Sequence, residues 1–136
     1  MNQRYEVLSD GEEFSGNYCN VHISNGPCDG NTMLPSPYAK VNDGLLDVIF
    51  ATSGKRSDVF KTLTDYFNGQ FEKYDMYSRK LCKKIVFSSK HPIRVQMDGE
   101  AFFSKEVEVE IQPESIRFFV PEGVDFVDYS HKAFRK

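Results

Sequence analysis

A chain of 136 residues with 40% hydrophobic and 27% charged side chains has the composition of one globular domain, able to bury roughly two-thirds of its unfolded surface. Its net charge of -3 gives no electrostatic footprint for nucleic acid, and no run approaches the ~18 apolar residues that a membrane span needs. The 12 Phe and 7 Tyr, with no Trp, tilt the composition towards pleated sheet.

Cys19, Cys28 and Cys82 form no C-x-x-C pair and are odd in number, the usage of reduced thiols in a cytosolic protein. The start, Met1-Asn2-Gln3-Arg4-Tyr5, lacks the apolar stretch of a signal peptide, so the expected location is the cytoplasm.

Residues 4–8 read as a short strand, closed by the turn Ser9-Asp10-Gly11. Over 18–23, Cys19, Val21 and Ile23 alternate with Tyr18, Asn20 and His22, the period of a half-buried strand with His22 outward. A lone strand histidine is more often a packing or surface residue than a metal ligand. Residues 27–37 are irregular because Pro27, Gly30, Pro35 and Pro37 forbid regular structure, and a loop of that length suggests a job.

Asn42-Asp43-Gly44 is a turn: glycine takes positive φ without steric cost, and Asn and Asp side chains bond their own backbone. It serves either as a plain β-turn or as a point where carbonyls and a carboxylate converge on a hard cation. It opens into a strand over 45–51 that is apolar except for Asp47. A helix follows over 57–68, with Val59, Phe60, Leu63, Tyr66 and Phe67 as its buried stripe. Ser57 or Asp58 caps its start and Gly69 suits its left-handed C-terminus.

Residues 71–77 are ambiguous. Strands return over 81–87 and 93–97, and Asp98-Gly99-Glu100 makes a second Asp-Gly turn, resembling a hairpin, with the next alternation beginning at Glu106. Glu106, Glu108 and Glu110 stand about 7 Å apart along their strand, a solvated row that protects an edge rather than a cation site. Residues 116–120 read as a last strand, ended by Pro121, and a tail runs to Lys136. The fold expected is mainly β, a β-sandwich-like domain or closed sheet with one inserted α-helix at about 57–68. No nucleophile elbow, zincin helix, P-loop or Rossmann glycine pattern occurs.

The ordered set of short motifs goes further. Asn42-Asp43-Gly44-Leu45-Leu46-Asp47-Val48 resembles the Asp-Gly-Leu-Leu-Asp segment of the diacylglycerol kinase-like lipid kinases, which include sphingosine, ceramide and bacterial lipid kinases. Met97-Asp98-Gly99-Glu100 is similar to their second Asp-Gly-Glu motif. Around these, 20–26 resembles their first strand and turn, Pro37 and Ala39 precede the Asp-Gly turn as they do there, and Val109, Ile111, Pro113 and Ile116 follow their closing pattern. The resemblance covers about residues 16–121 and only the C-terminal half of such kinases. Their Gly-Gly-Asp-Gly-Thr loop, which holds ATP phosphates, has no counterpart in the sequence. After Asn25-Gly26, where the family often runs glycine-rich, this chain has Pro27-Cys28-Asp29-Gly30-Asn31-Thr32-Met33.

The resemblance implies transfer of phosphate from ATP to a lipid hydroxyl, in a cleft shared with a nucleotide-binding half. It implies Glu100 as the general base and a Mg²⁺ site at the first turn, formed by the Lys40 carbonyl, Asp43 and the Leu45 carbonyl. The chain alone is then expected to be inactive. Its implied partners are a lipid substrate and a nucleotide-binding domain in cis or trans, with peripheral membrane contact and homo-oligomerisation as further expectations and no nucleic acid. The alternative is a non-catalytic β-module that keeps the fold for lipid or protein binding.

Overall fold

Apolar and polar side chains alternate through most of the chain, so that chain forms strands. The computed structural model describes residues 3–30, 33–52, 56–117, 119 and 121–123. Its strands are β1 (Gln3–Ser9), β2 (Glu12–Ser24), β3 (Leu46–Thr52), β4 (Tyr77–Cys82), β5 (Lys84–Met97) and β6 (Glu100–Glu110). Between β3 and β4 lie helix α1 (Arg56–Phe67) and a single 3-10 turn, Phe71–Lys73. The strands form one antiparallel, six-stranded sheet in the order β4-β3-β2-β1-β5-β6.

The connections force this sheet to curl. Only Lys83 separates β4 from β5, yet β3, β2 and β1 lie between them in the sheet. A flat sheet would hold those strands about 19 Å apart, whereas a one-residue link spans about 7 Å. The sheet therefore rolls over until β4 and β5 meet at one corner, which gives the sandwich-like shape expected from the sequence.

Asp10 closes that corner. At the β1–β2 turn it takes φ 49°, and its carboxylate accepts the Lys83 amide at 3.0 and 3.1 Å and the Lys84 amide at 2.9 Å. These two amides hold the Asp10 carboxyl below its usual range. They also explain a correction: 81–87, expected as one strand, breaks at Lys83 to serve both β4 and β5.

The inner face of the curl is the main core, built around Val7, Leu46, Val48, Phe50, Ile85 and Phe87. Phe50 anchors it, with its ring 4.9 Å from Tyr18, 5.8 Å from Phe14 and 6.2 Å from Phe87. Each such side chain contributes about 2 kcal/mol of burial. On the outer face, Ile49 packs with Tyr66 and Phe71 under α1. β3 is thus covered on both faces, which is why its sequence is nearly all apolar.

Several expectations need correcting. The register slips between Tyr18 and Asn20, so Tyr18 is buried and Cys19, expected inward, is exposed. In α1, Tyr66 and Thr62 are buried one turn apart, but Phe60 and Leu63 are 76% and 38% exposed because only one flank of the helix lies on the sheet. The side chain of Val59 lies outside the described ones. The helix begins at Arg56, which puts Ser57 and Asp58 inside its first turn.

The other end of α1 is as expected. Gly69 has φ 72°, with Gly69 N donating to Tyr66 O at 3.0 Å and Gln70 N to Asp65 O at 2.7 Å. The ambiguous stretch 71–77 is the 3-10 turn and the start of β4. β6 runs directly from the hairpin turn, so 101–104 belong to it. It is an edge strand whose three glutamates are exposed, and Lys84 pairs with Glu108 at 2.7 Å. Ile116 and Arg117 lie outside any strand; Phe118, Val120 and the tail from 124 onward lie outside the described residues.

Candidate functional site

The first Asp-Gly turn is held by its approach. Pro35, Ser36 and Pro37 are buried, Ser24 Oγ donates to Ser36 Oγ at 2.7 Å, and the Ala39 amide donates to Ser36 O at 3.0 Å. Gly44 then takes φ 70°, and Asp43 Oδ1 accepts the Leu45 amide at 2.9 Å, the local bond that the sequence predicts. Lys40 and Asp43 are exposed and Leu45 is half-buried.

Among the described residues, neither the Lys40 nor the Leu45 carbonyl accepts a backbone bond from a turn or loop. No group of three or more His, Cys, Asp or Glu side chains gathers there either. A cation held by the Lys40 carbonyl, Asp43 and the Leu45 carbonyl would meet one carboxylate, two backbone carbonyls and water. That donor set fits Mg²⁺, which keeps several of its waters and takes one or two carboxylates.

Beyond the turn, the buried Asp47 is paired. Arg79 on β4 donates from Nε to Oδ1 at 3.0 Å and to Oδ2 at 2.9 Å, and from Nη2 to Oδ2 at 2.6 Å. The register sets Leu81 opposite Asp47 and Arg79 opposite Ile49, so the pair lies diagonally across the outer face. The bond to Asp47 raises the guanidinium's pKa further. The same guanidinium lies 5.1 Å from the centre of the Tyr38 ring, and Tyr38 Oη donates to Glu72 at 3.1 Å. Burial and then that bond hold the Tyr38 phenol above its usual value.

Glu100 has different surroundings. Asp98 and Gly99 take φ 48° and 91°, the double positive φ of a tight hairpin. Met97 stands opposite Glu100, Val95 opposite Phe102, and Ile93 opposite Ser104, all on one face. Ile93 belongs to the inner core, while Phe102 and Met97 are 43% and 63% exposed. The apolar inner face thus runs past the core as an open stripe that ends at an exposed carboxylate. Among the described residues neither Glu100 nor the Asp98 carboxylate has an ion pair or hydrogen-bond partner.

The two turns do not come together. Gly44 lies beside Pro113, where a Cβ would sit 3.6 Å from that ring, beyond the far end of β6. Glu100 opens the same 11-residue strand, about 33 Å away along it.

Sequence reasoning missed the Asp47–Arg79–Tyr38 set, whose only local signal is a charge inside an apolar run. It also missed two buried polar atoms, His22 Nε2 and Tyr66 Oη, which lack partners among the described residues. Burial holds His22 below its usual pKa, and the charges of Asp29 and Asp47 offset part of that. A shallow cavity of about 360 Å³ lies by α1, lined by Asp58, Lys61, Lys73, Tyr74 and Met76 among others, and Lys73 is already paired with Asp65 at 2.8 Å.

A family model described as the YegS C-terminal NAD kinase beta sandwich-like domain matches residues 1–120. The match begins earlier than the sequence motifs because β1, which carries none of them, is an inner strand of the sheet. A probable lipid kinase YegS-like from Chromohalobacter salexigens is 26% identical over 101 residues, covering 74% of this chain and 32% of that protein. Its namesake from Pseudomonas putida is 25% identical over 118 residues, covering 87% and 38%. A putative diacylglycerol kinase from Bacillus anthracis str. Sterne shares the fold, with a TM-score of 0.65 and 21% identity over 83% of this chain and 39% of that one. A second structure of a diacylglycerol kinase from the same strain gives 0.67, 19%, 82% and 40%. The chain spans about a third of the length of the curated relatives it matches.

Proposed function

Because the chain belongs to the YegS C-terminal NAD kinase beta sandwich-like domain family, found in the diacylglycerol kinase-like lipid kinases, we propose that it is the C-terminal half of an ATP-dependent lipid kinase. In this reading residues 1–136 are one domain, and a nucleotide-binding domain, in cis or trans, supplies the ATP phosphates. The chain alone does not turn over. The observation that carries the reading is the second turn: a Glu100 without a partner among the described residues, at the end of the stripe formed by Val95, Phe102 and Met97. A lipid whose chain lies on that stripe would bring its hydroxyl to the carboxylate.

Glu100 then acts as general base. As the hydroxyl oxygen attacks the γ-phosphorus, its proton passes to the Glu100 carboxylate, and the bond from phosphorus to the β,γ-bridging oxygen breaks to release ADP. The Lys40 carbonyl, Asp43 and the Leu45 carbonyl would hold Mg²⁺, which when bound supplies positive charge that draws those oxygens together. The distance from Glu100 along β6 makes that ion a brace for the loop rather than a partner of the reacting phosphate. No helix of the described residues is long and apolar enough to cross a membrane, and contact with lipid would be peripheral.

The test joins this chain to a nucleotide-binding domain of the same family and supplies ATP with vesicles containing diacylglycerol, a sphingoid base or phosphatidylglycerol. Labelled phospholipid product is the expected result; no product from any of the three removes the reading. A second reading, a non-catalytic β-module, draws on the exposed Met97, Phe102 and Phe103. It expects self-association or vesicle binding without phosphorylation.

A further inference from the structure

We propose that Arg79 is the positioning residue of the turn over residues 40–45, one guanidinium clipping both stems of that turn. The proposal rests on the reading of the turn as a magnesium site. Tyr38 lies two residues before Lys40, and Asp47 lies two residues after Leu45. Both meet Arg79: the carboxylate through three contacts of 2.6 to 3.0 Å, the ring at 5.1 Å from its centre. Glu72 fixes the far end of Tyr38 at 3.1 Å, so the clip is also tied to the 3-10 turn. With both stems fixed to one rigid, planar group, the separation of the Lys40 and Leu45 carbonyls is set before any ion arrives.

Stability alone does not account for this arrangement. Asp47 is 1% exposed in a strand whose other buried residues are apolar. A buried ion pair is often matched or bettered by apolar residues of similar volume, so aliphatic residues at 47 and 79 together would serve β3 and β4 as well. What an aliphatic pair cannot do is place a cation over the Tyr38 ring. Lysine could not do so either, because a single ammonium cannot bind the carboxylate through two nitrogens while lying over the ring.

The experiment uses the chain of residues 1–136, Mn²⁺ as the probe followed by electron paramagnetic resonance, and amide hydrogen exchange at Leu45. Asp43→Asn, which removes the side-chain ligand, abolishes Mn²⁺ binding. Arg79→Lys and Tyr38→Leu weaken it about tenfold, the loss typical of removing a group that orients a metal ligand, and speed exchange of the Leu45 amide. Tyr38→Phe keeps the ring but loses the Glu72 bond, and weakens Mn²⁺ binding less than Tyr38→Leu does.

The proposal is overturned if Arg79→Lys leaves both Mn²⁺ affinity and Leu45 exchange unchanged. It is also overturned if that variant speeds the amides of the β5–β6 hairpin to the same degree, since that is general loosening. If the parent shows no Mn²⁺ binding that depends on Asp43, the magnesium reading falls by itself. Leu45 exchange then decides the clip: faster in Arg79→Lys upholds it, unchanged refutes it.

Discussion

At Asp43-Gly44 the aspartate spends one oxygen on the Leu45 amide, and the chain beyond enters a strand covered on both faces. At Asp98-Gly99 the aspartate itself takes φ 48°, and its neighbours Met97, Glu100 and Phe103 are all exposed. The same dipeptide therefore makes two different objects. The first is a turn fixed from its stems, suited to presenting oxygens at a set spacing. The second is a tight, exposed tip, suited to meeting a ligand. The stems, and not the turn residues, decide which.

Removing a stem contact should give the largest effect. Asp47→Ala leaves the Arg79 guanidinium without its carboxylate and should cost about 3 kcal/mol or more in urea unfolding. Glu100→Gln, at an exposed tip with no partner among the described residues, should change stability by less than about 0.5 kcal/mol. Similar losses in the two variants would erase the distinction between fixed and free turns.

An intermediate effect is expected at the turn glycines. Gly44→Ala and Gly99→Ala both force a side chain into positive φ, at 70° and 91°, and neither new Cβ meets a clash. Each should cost about 1 kcal/mol from the backbone alone. A cost near zero at Gly99 would mean that the tip relaxes freely and is not rigid.

The smallest effect concerns pH. Burial keeps the folded-state pKa of His22 below the value of about 6.5 expected for the unfolded chain. Its neutral form is the one the fold prefers, so its contribution is present above about pH 6.5 and is lost as pH falls towards the folded pKa. Thermal melts at pH 7 and 5.5 should show a smaller drop for His22→Gln than for the parent. An equal drop would assign the acid sensitivity to other groups.

The sequence made the strands and the helix legible because their periods are local. β3 and α1 lie within a residue of where periodicity places them. It could not show the break at Lys83, where Leu81-Cys82-Lys83-Lys84-Ile85 looks like unbroken strand: the cause is a carboxylate more than 70 residues away in the chain, Asp10. The helix stripe failed for a related reason. Its periodicity marks an apolar face, but the area of sheet beneath decides how much of that face is covered, and Phe60 and Leu63 overhang it.

For the candidate site, the bond within the first turn and the tightness of the second were legible from Asp-Gly alone. Asp47 stood out as a charge among apolar residues, but its partner Arg79 is set by the β3–β4 register, which no local pattern carries. The exposure of Glu100 is likewise a property of the folded hairpin.

The most direct test of the lipid-kinase reading is the rate of ATP-dependent lipid phosphorylation by this chain joined to a nucleotide-binding domain, compared between the parent and Glu100→Gln. Loss of a general base predicts a fall of about 100-fold or more, with unfolding unchanged. A Glu100→Gln rate equal to the parent's would contradict the account.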